Sequence, residues 1–246
     1  KGEMFMYGMY GYGYGYGFDP TIILVLIGVA LSLWAQGRVN STFSRYSRVR
    51  SMTGMTGAEA ARRLLNAQGI YDVTVQPIAG ELTDHYDPRT KTVNLSQSVY
   101  GATSVAAIGV AAHECGHAMQ DNEGYAPLRF RSALVPAANF GSKLSWPLIL
   151  LGLVFGGLGS PLVEIGILMF SLAVLFQLVT LPVEYNASAR AVRLLDSQGI
   201  LAGEEVSGTR KVLNAAALTY VAAAATSILQ LLRLIILFGG RNRRDN

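Results

Sequence analysis

The residues with the clearest chemical potential in this sequence are His113, Glu114 and His117, set in the order H-E-x-x-H. On a helix, positions i and i+4 share a face, so both imidazoles can hold one metal ion. The glutamate between them can take a proton from a metal-activated water and later deliver it to a leaving amine. Zinc suits two imidazoles plus a carboxylate, with a fourth position open for water. The chain has only three histidines, and two of them fall at this spacing around a glutamate, which argues against coincidence. The run from Thr103 to Ala112 is rich in Ala, Val and Ile and predicts a buried helix leading into the motif. Cys115 is the single cysteine, so an internal disulfide is excluded. Inside the motif it is expected to be a small core residue, since two histidines and a carboxylate already complete a zinc site.

The surrounding elements must position these groups, and they read as membrane spans. Of the 246 residues, 51% are hydrophobic and only 15% are charged, which is low for a soluble domain. The apolar residues are concentrated in long blocks. Residues 1–19 form a Gly-Tyr-rich tail without an apolar face, expected to be flexible with its tyrosines in the membrane interface. Residues 20–37 carry no charge and predict a first span, read as an anchor because no small-residue cleavage site follows. Arg38, Arg45, Arg48 and Arg50 come next with no acid among them, which places that flank in the cytoplasm and the tail outside. Residues 144–183 contain two uncharged runs, Leu144 to Val163 and Ile165 to Val183, with a Gly-rich turn near Gly157 and Pro161. They predict a transmembrane hairpin, and residues 212–238 predict a fourth span. The arginines are scattered without an aromatic platform, so no nucleic-acid partner is expected.

Between the first span and the hairpin lies the motif-bearing region, residues 38–143. Thr56 and Glu59 form a capping-box pattern that opens a helix ending at Gly69. A near copy of that helix end, Arg63 to Ile70, recurs at Arg193 to Ile200. Val73 to Val75 predicts a short strand, and Asp87-Pro88-Arg89-Thr90 predicts the turn of a hairpin just ahead of the motif helix. An exposed strand edge there could pair with an extended peptide. A helix is expected over Phe130 to Ser142, kinked at Pro136.

Two histidines need a third ligand. The hairpin crosses the membrane twice after His117, which returns the chain to the same face at Glu184. Pro182 predicts a break there, and Glu184 would open a helix within residues 184–211. An interfacial glutamate could equally cap a span, and Asp121, Glu123 and His85 compete with it as ligands.

His113 to His117, the run Leu181-Pro-Val-Glu-Tyr-Asn-Ala-Ser-Ala-Arg190 and the Tyr86 to Thr90 hairpin together resemble the YugP-like neutral zinc metallopeptidases of bacterial membranes. The layout is more distantly similar to the HtpX-type membrane proteases, whose third zinc ligand is the glutamate of an E-x-x-A-D pattern. Glu184 and Ala187 match that pattern, while Ser188 stands in place of the aspartate. The resemblance implies Glu184 as the third ligand, and makes Asn186 or Ser188 the partner that orients the histidines.

The expectation is a mainly α multi-pass membrane protein with about four transmembrane helices. Its H-E-x-x-H helix and small β-hairpin would form a membrane-apposed catalytic domain. The expected function is zinc-dependent hydrolysis of peptide bonds in a peptide or protein substrate at the cytoplasmic face of the bacterial cell membrane. His113, His117 and Glu184 would hold the metal and Glu114 would be the general base. The rival class is a non-catalytic membrane subunit with a structural metal, which would be closed by four protein ligands.

Overall fold

The computed structural model describes residues 19–157 and 160–239; the Gly-Tyr tail and the C-terminal arginines lie outside them. Helix α1 (Ile22–Ser47) is followed by α2 (Gly57–Ala67), β1 (Thr74–Ile78), β2 (His85–Asp87), β3 (Thr92–Ser96) and the short α3 (Gln97–Tyr100). The chain continues through α4 (Val105–Asn122), α5 (Ala126–Gly156), α6 (Pro161–Ser197) and α7 (Glu204–Phe238). Among the described residues, four helices are long and apolar enough to cross a membrane: α1, α5, α6 and α7. Their outer faces carry large exposed apolar side chains, such as Leu33 at 69% and Phe155 at 79% exposure, a surface suited to lipid and costly in water.

The four helices form an antiparallel arrangement in which α5 packs on α6, α6 on α7 and α7 on α1. Asp19, just before α1, meets Arg233 near the end of α7 at 2.9 Å, so the start of α1 and the end of α7 lie together. Arg233 thus has a carboxylate partner near the end of the otherwise uncharged run 212–238. The hydrogen bonds from Thr21 and Arg233 hold the Asp19 carboxyl below the usual carboxylate range.

At the opposite end the remaining elements build a small core. The capping box is present: Thr56 Oγ1 accepts from the Glu59 N–H at 3.2 Å and Glu59 accepts from the Thr56 N–H at 2.8 Å. The recurring helix ends both stop at a glycine in the left-handed region, Gly69 at φ 70° and Gly199 at φ 60°, where any side chain would be strained. The sheet has the order β1-β3-β2. The expected hairpin is β2 with β3, antiparallel, and β1 adds to β3 in parallel. Leu64, Val93, Leu95, Ile108 and Leu195 are fully buried and join α2, the sheet, α4 and the end of α6 into one apolar core.

Two expectations about helix ends are corrected. The helix expected over Phe130 to Ser142 is longer at both ends, because α5 runs from Ala126 to Gly156 through Pro136 and Pro147. Pro182 does not break the chain before Glu184, because α6 continues through it to Ser197. In an apolar surrounding, unravelling a helix strands several backbone groups, each at a cost of several kcal/mol, whereas a proline removes one hydrogen bond. Glu184 therefore sits inside a long helix whose neighbouring turns are fixed on both sides.

Candidate metal centre and active site

Helix α4 is the central element of the site. Ser104 caps it by accepting the Ala107 N–H at 3.2 Å, and Ala106, Ala107, Ile108, Ala111 and Ala112 are fully buried. Small side chains on this face let α2, α6 and α7 approach closely. Two turns later the same helix presents His113 and His117, with ring centroids 4.7 Å apart and ring planes at 82°. Glu184 reaches them from α6. Its Oε2 lies 3.2 Å from His113 Nε2 and 3.6 Å from His117 Nε2. Each of the three residues offers one ligand atom, and all these atoms lie within 4.8 Å of one another.

The other imidazole nitrogens explain why the Nε2 atoms are free to face the site. Gln120 is completely buried, and its amide nitrogen donates to the Val183 carbonyl at 2.9 Å and to Asn186 Oδ1 at 3.0 Å. Its oxygen is thereby turned to His117 Nδ1, 3.0 Å away, where it can only accept. That fixes the proton on Nδ1 and leaves the Nε2 lone pair directed at the centre. Asn186 is held in turn by Arg190 Nε at 2.7 Å, and Arg190 pairs with Glu123 at 2.7 Å. On His113, the Ser188 hydroxyl lies 3.1 Å from Nδ1 and can accept its proton. Both residues named as partners of the histidines are thus engaged: Ser188 directly, and Asn186 through Gln120.

The donor set fits zinc. Two imidazole nitrogens and a carboxylate match a three-ligand site with one position open. Burial alone pushes the His117 pKa down, but the Glu184 hydrogen bond and the charges of Glu114 and Glu184 outweigh it and raise the value. The same pull on positive charge would act on a divalent cation. Cys115 takes no part. It is fully buried, its thiol faces the Ala61 carbonyl at 3.6 Å, and burial pushes its pKa up, so it stays protonated.

Glu114 is held from the sheet. Its Oε2 accepts the backbone N–H of Tyr86 at 3.0 Å, from the outer edge of β2. The carboxylate is therefore anchored beside the triad by strand backbone. The rival ligands have other partners. Asp121 accepts from Lys91 and from the Tyr86 hydroxyl, at 2.7 Å and 2.8 Å. Glu123 pairs with Arg190. His85 is engaged at Nδ1 by the Thr83 carbonyl at 2.8 Å and at Nε2 by Asn94 at 3.2 Å, so it has no nitrogen left for a metal.

Two cavities flank the triad. One, of about 260 Å³, is bordered by His113, His117, Glu184, Tyr86, Arg131 and Tyr220. The other, of about 170 Å³, shares His113, Glu114, Glu184 and Tyr220 and reaches Val39 on α1. Arg131 lies 3.7 Å from Glu184, and its buried Nε has no hydrogen-bond partner among the described residues. Gln120, Arg131, Arg190 and Tyr220 were assigned no role from the sequence. Arg190 closes the run that carries Glu184, so its place in that run was a usable signal; the others lie in helices where nothing in the local pattern singles them out.

Residues 21–239 match the sequence profile of a family described as “Putative neutral zinc metallopeptidase”. A Bacillus subtilis (strain 168) protein described as “Putative membrane protease YugP” is 49% identical over 224 residues, covering 91% of this chain and 98% of that protein. No solved structure matches the chain. With the profile spanning all four long helices and the H-E-x-x-H helix between them, the chain belongs to this family of neutral zinc metallopeptidases.

Proposed function

We propose that this membrane protein is a zinc endopeptidase that cleaves peptide bonds at the cytoplasmic surface of the bacterial membrane. The observation that supports it most is the convergence of His113, His117 and Glu184 on one point, with Glu114 beside it and a cavity in front. A three-ligand site facing a cavity is the form of a catalytic centre, whereas a structural zinc is closed by four protein ligands. Zinc held there would supply Lewis acidity to the scissile carbonyl and lower the pKa of the attacking water.

The chain's own residues do the rest. Glu114 accepts the proton of the attacking water, then delivers it to the leaving amine. The Tyr86 N–H keeps one carboxylate oxygen pointed along the strand and leaves the other for the proton. Gln120 and Ser188 hold the two imidazoles in the tautomer that presents Nε2. Arg131 and Tyr220 border the cavity and carry donors for the carbonyl oxygen as it gains charge. The outer edge of β2 faces the same cavity and offers backbone groups to an extended substrate.

The experiment is a comparison of the purified full chain with Glu114→Gln. Zinc content is measured by atomic absorption, and hydrolysis of a casein substrate is followed with and without chelator. The expected result is one zinc per chain in both proteins, chelator-sensitive hydrolysis in the native chain and a loss of at least about a hundredfold in the variant. Zinc binding with no hydrolysis in the native chain would point to a structural metal instead.

A further inference from the structure

Away from the metal centre, a cavity of about 680 Å³ opens between α1, α6 and α7. Arg38 and Arg45 border it from α1 and Lys211 from α7, and Ser41, Thr42 and Asn214 add hydroxyl and amide groups. Among the described residues, no carboxylate lines it. None of the three cations makes an ion pair with a described residue, whereas Arg131, Arg190 and Arg233 all do. Three uncompensated charges converging on one concavity repel one another, and such an arrangement is stabilised by an anion. Guanidinium, ammonium, hydroxyl and amide donors together are the complement of a phosphate group.

The depth of the cavity identifies the source of that phosphate. Arg38 is the first residue after the uncharged run 20–37, and Lys211 is the last before the uncharged run 212–232. Tyr185, which also borders the cavity, follows the run 165–183 by two residues. All three helices therefore leave the apolar layer at this level, where lipid phosphates lie. On the apolar side the wall continues as Ala215 and Leu218. Trp34, one turn before Arg38 on α1, is 55% exposed, as suits an aromatic ring at the lipid interface.

We propose that this cavity between α1, α6 and α7 binds the headgroup of an anionic phospholipid, with Arg38, Arg45 and Lys211 on the phosphate and the acyl chains lying against α1 and α7. The site is separate from the metal ligands, so its test does not depend on peptidase activity.

The full chain is purified in detergent and titrated in native mass spectrometry with phosphatidylglycerol, and separately with phosphatidylcholine of the same acyl chains. The variant Arg38→Gln/Arg45→Gln/Lys211→Gln is compared with a control that loses the same charge elsewhere, Arg48→Gln/Arg50→Gln/Arg89→Gln. The native chain should prefer phosphatidylglycerol at least about tenfold. The cavity variant should bind it about a hundredfold more weakly, at about fivefold per cation, and the control should change by less than about threefold. Lys211→Gln alone should lose about fivefold, which keeps the test informative should the triple variant fold poorly by circular dichroism. Equal losses in the cavity variant and the control would mean diffuse attraction and would overturn the proposal, as would equal binding of the two lipids. Inorganic phosphate added at matched concentration should displace little of the lipid; complete displacement would identify a soluble anion as the occupant and reject the lipid.

Discussion

Gly116 on α4 faces the backbone carbonyl of Ala187 on α6, and a Cβ at position 116 would stand 2.6 Å from that oxygen. Real Cβ atoms do not come so close to a carbonyl oxygen, and the oxygen belongs to a helix backbone that cannot swing aside. The glycine between Glu114 and His117 is therefore what lets α4 and α6, which carry the candidate ligands, meet. It sets the distance between the His113–His117 pair and Glu184. Gly116→Ala must push α6 outward by several tenths of an ångström or more and separate Glu184 from the imidazoles. The expected outcome is a cost of about 1–3 kcal/mol in folding, as for overpacked cores, together with zinc affinity reduced at least tenfold. Isothermal titration of the metal-free variant with zinc measures the second effect. Native affinity would show that the helices can separate without moving the ligands.

The partners of the imidazoles give a second prediction. Gln120→Ala removes the acceptor at His117 Nδ1 and, with it, the link from that imidazole to the Val183 carbonyl and Asn186 on α6. Ser188→Ala removes only the hydroxyl beside His113. Loss of such supporting contacts typically weakens metal binding by about 10–100-fold. Gln120→Ala should lie at the upper end of that range and Ser188→Ala at the lower end. Competition with a zinc-binding dye compares the two. Ser188→Asp, which restores the aspartate of the E-x-x-A-D pattern, should bind zinc at least as tightly as the native chain.

The Asp19–Arg233 pair carries a prediction about topology. It joins the start of α1 to the end of α7, so residues near 19, 157 and 239 share one membrane face. Residues near Arg50 and Gly199 belong with the metal centre on the other. Single cysteines at these positions, in a background with Cys115→Ala, should react with an impermeant maleimide in two groups. In sealed cells the first group should be labelled from outside. If labels near Arg50 and Gly199 react from opposite sides, the paired arrangement of α5 and α6 is wrong.

Much of this arrangement was legible in the sequence because its signals are local. Uncharged runs mark spans, an Ala-rich run marks a close-packed helix, and the capping box at Thr56 and Glu59 needs only four residues. Glu184 was reachable by counting crossings. The course of α6 through Pro182 was not legible, because proline signals a break in water and the apolar surroundings reverse that preference. The pairing of β1 with β3 depends on where the hairpin docks, and no pattern within the strands encodes it. Gln120 is the clearest omission: its importance comes from Val183 and Asn186, which only the packing of α4 on α6 brings to it.

Glu184 is the ligand whose assignment most needs a direct test. Its carboxylate is 3% exposed and lies against both imidazoles. Glu184→Ala removes one of three ligands and the only charged one, so zinc occupancy should fall sharply at stoichiometric metal. Glu184→Asp withdraws the carboxylate by one methylene and should give intermediate occupancy. The same change at the rival positions should leave zinc in place. Asp121 is paired with Lys91, whose side chain is 39% exposed, and an ion pair that open to water is worth at most about 1 kcal/mol. Asp121→Ala should therefore cost little stability and no metal. Glu123→Ala releases Arg190 and, through Asn186, loosens Gln120, so a loss in zinc affinity of less than about tenfold is expected. His85→Ala should leave occupancy unchanged, since both ring nitrogens are engaged within the hairpin. Zinc content by mass spectrometry across these variants decides the matter. Full occupancy in Glu184→Ala beside an empty Asp121→Ala or His85→Ala would transfer the third ligand to that residue. The close approach of Glu184 to the imidazoles would then be a packing contact between α6 and α4.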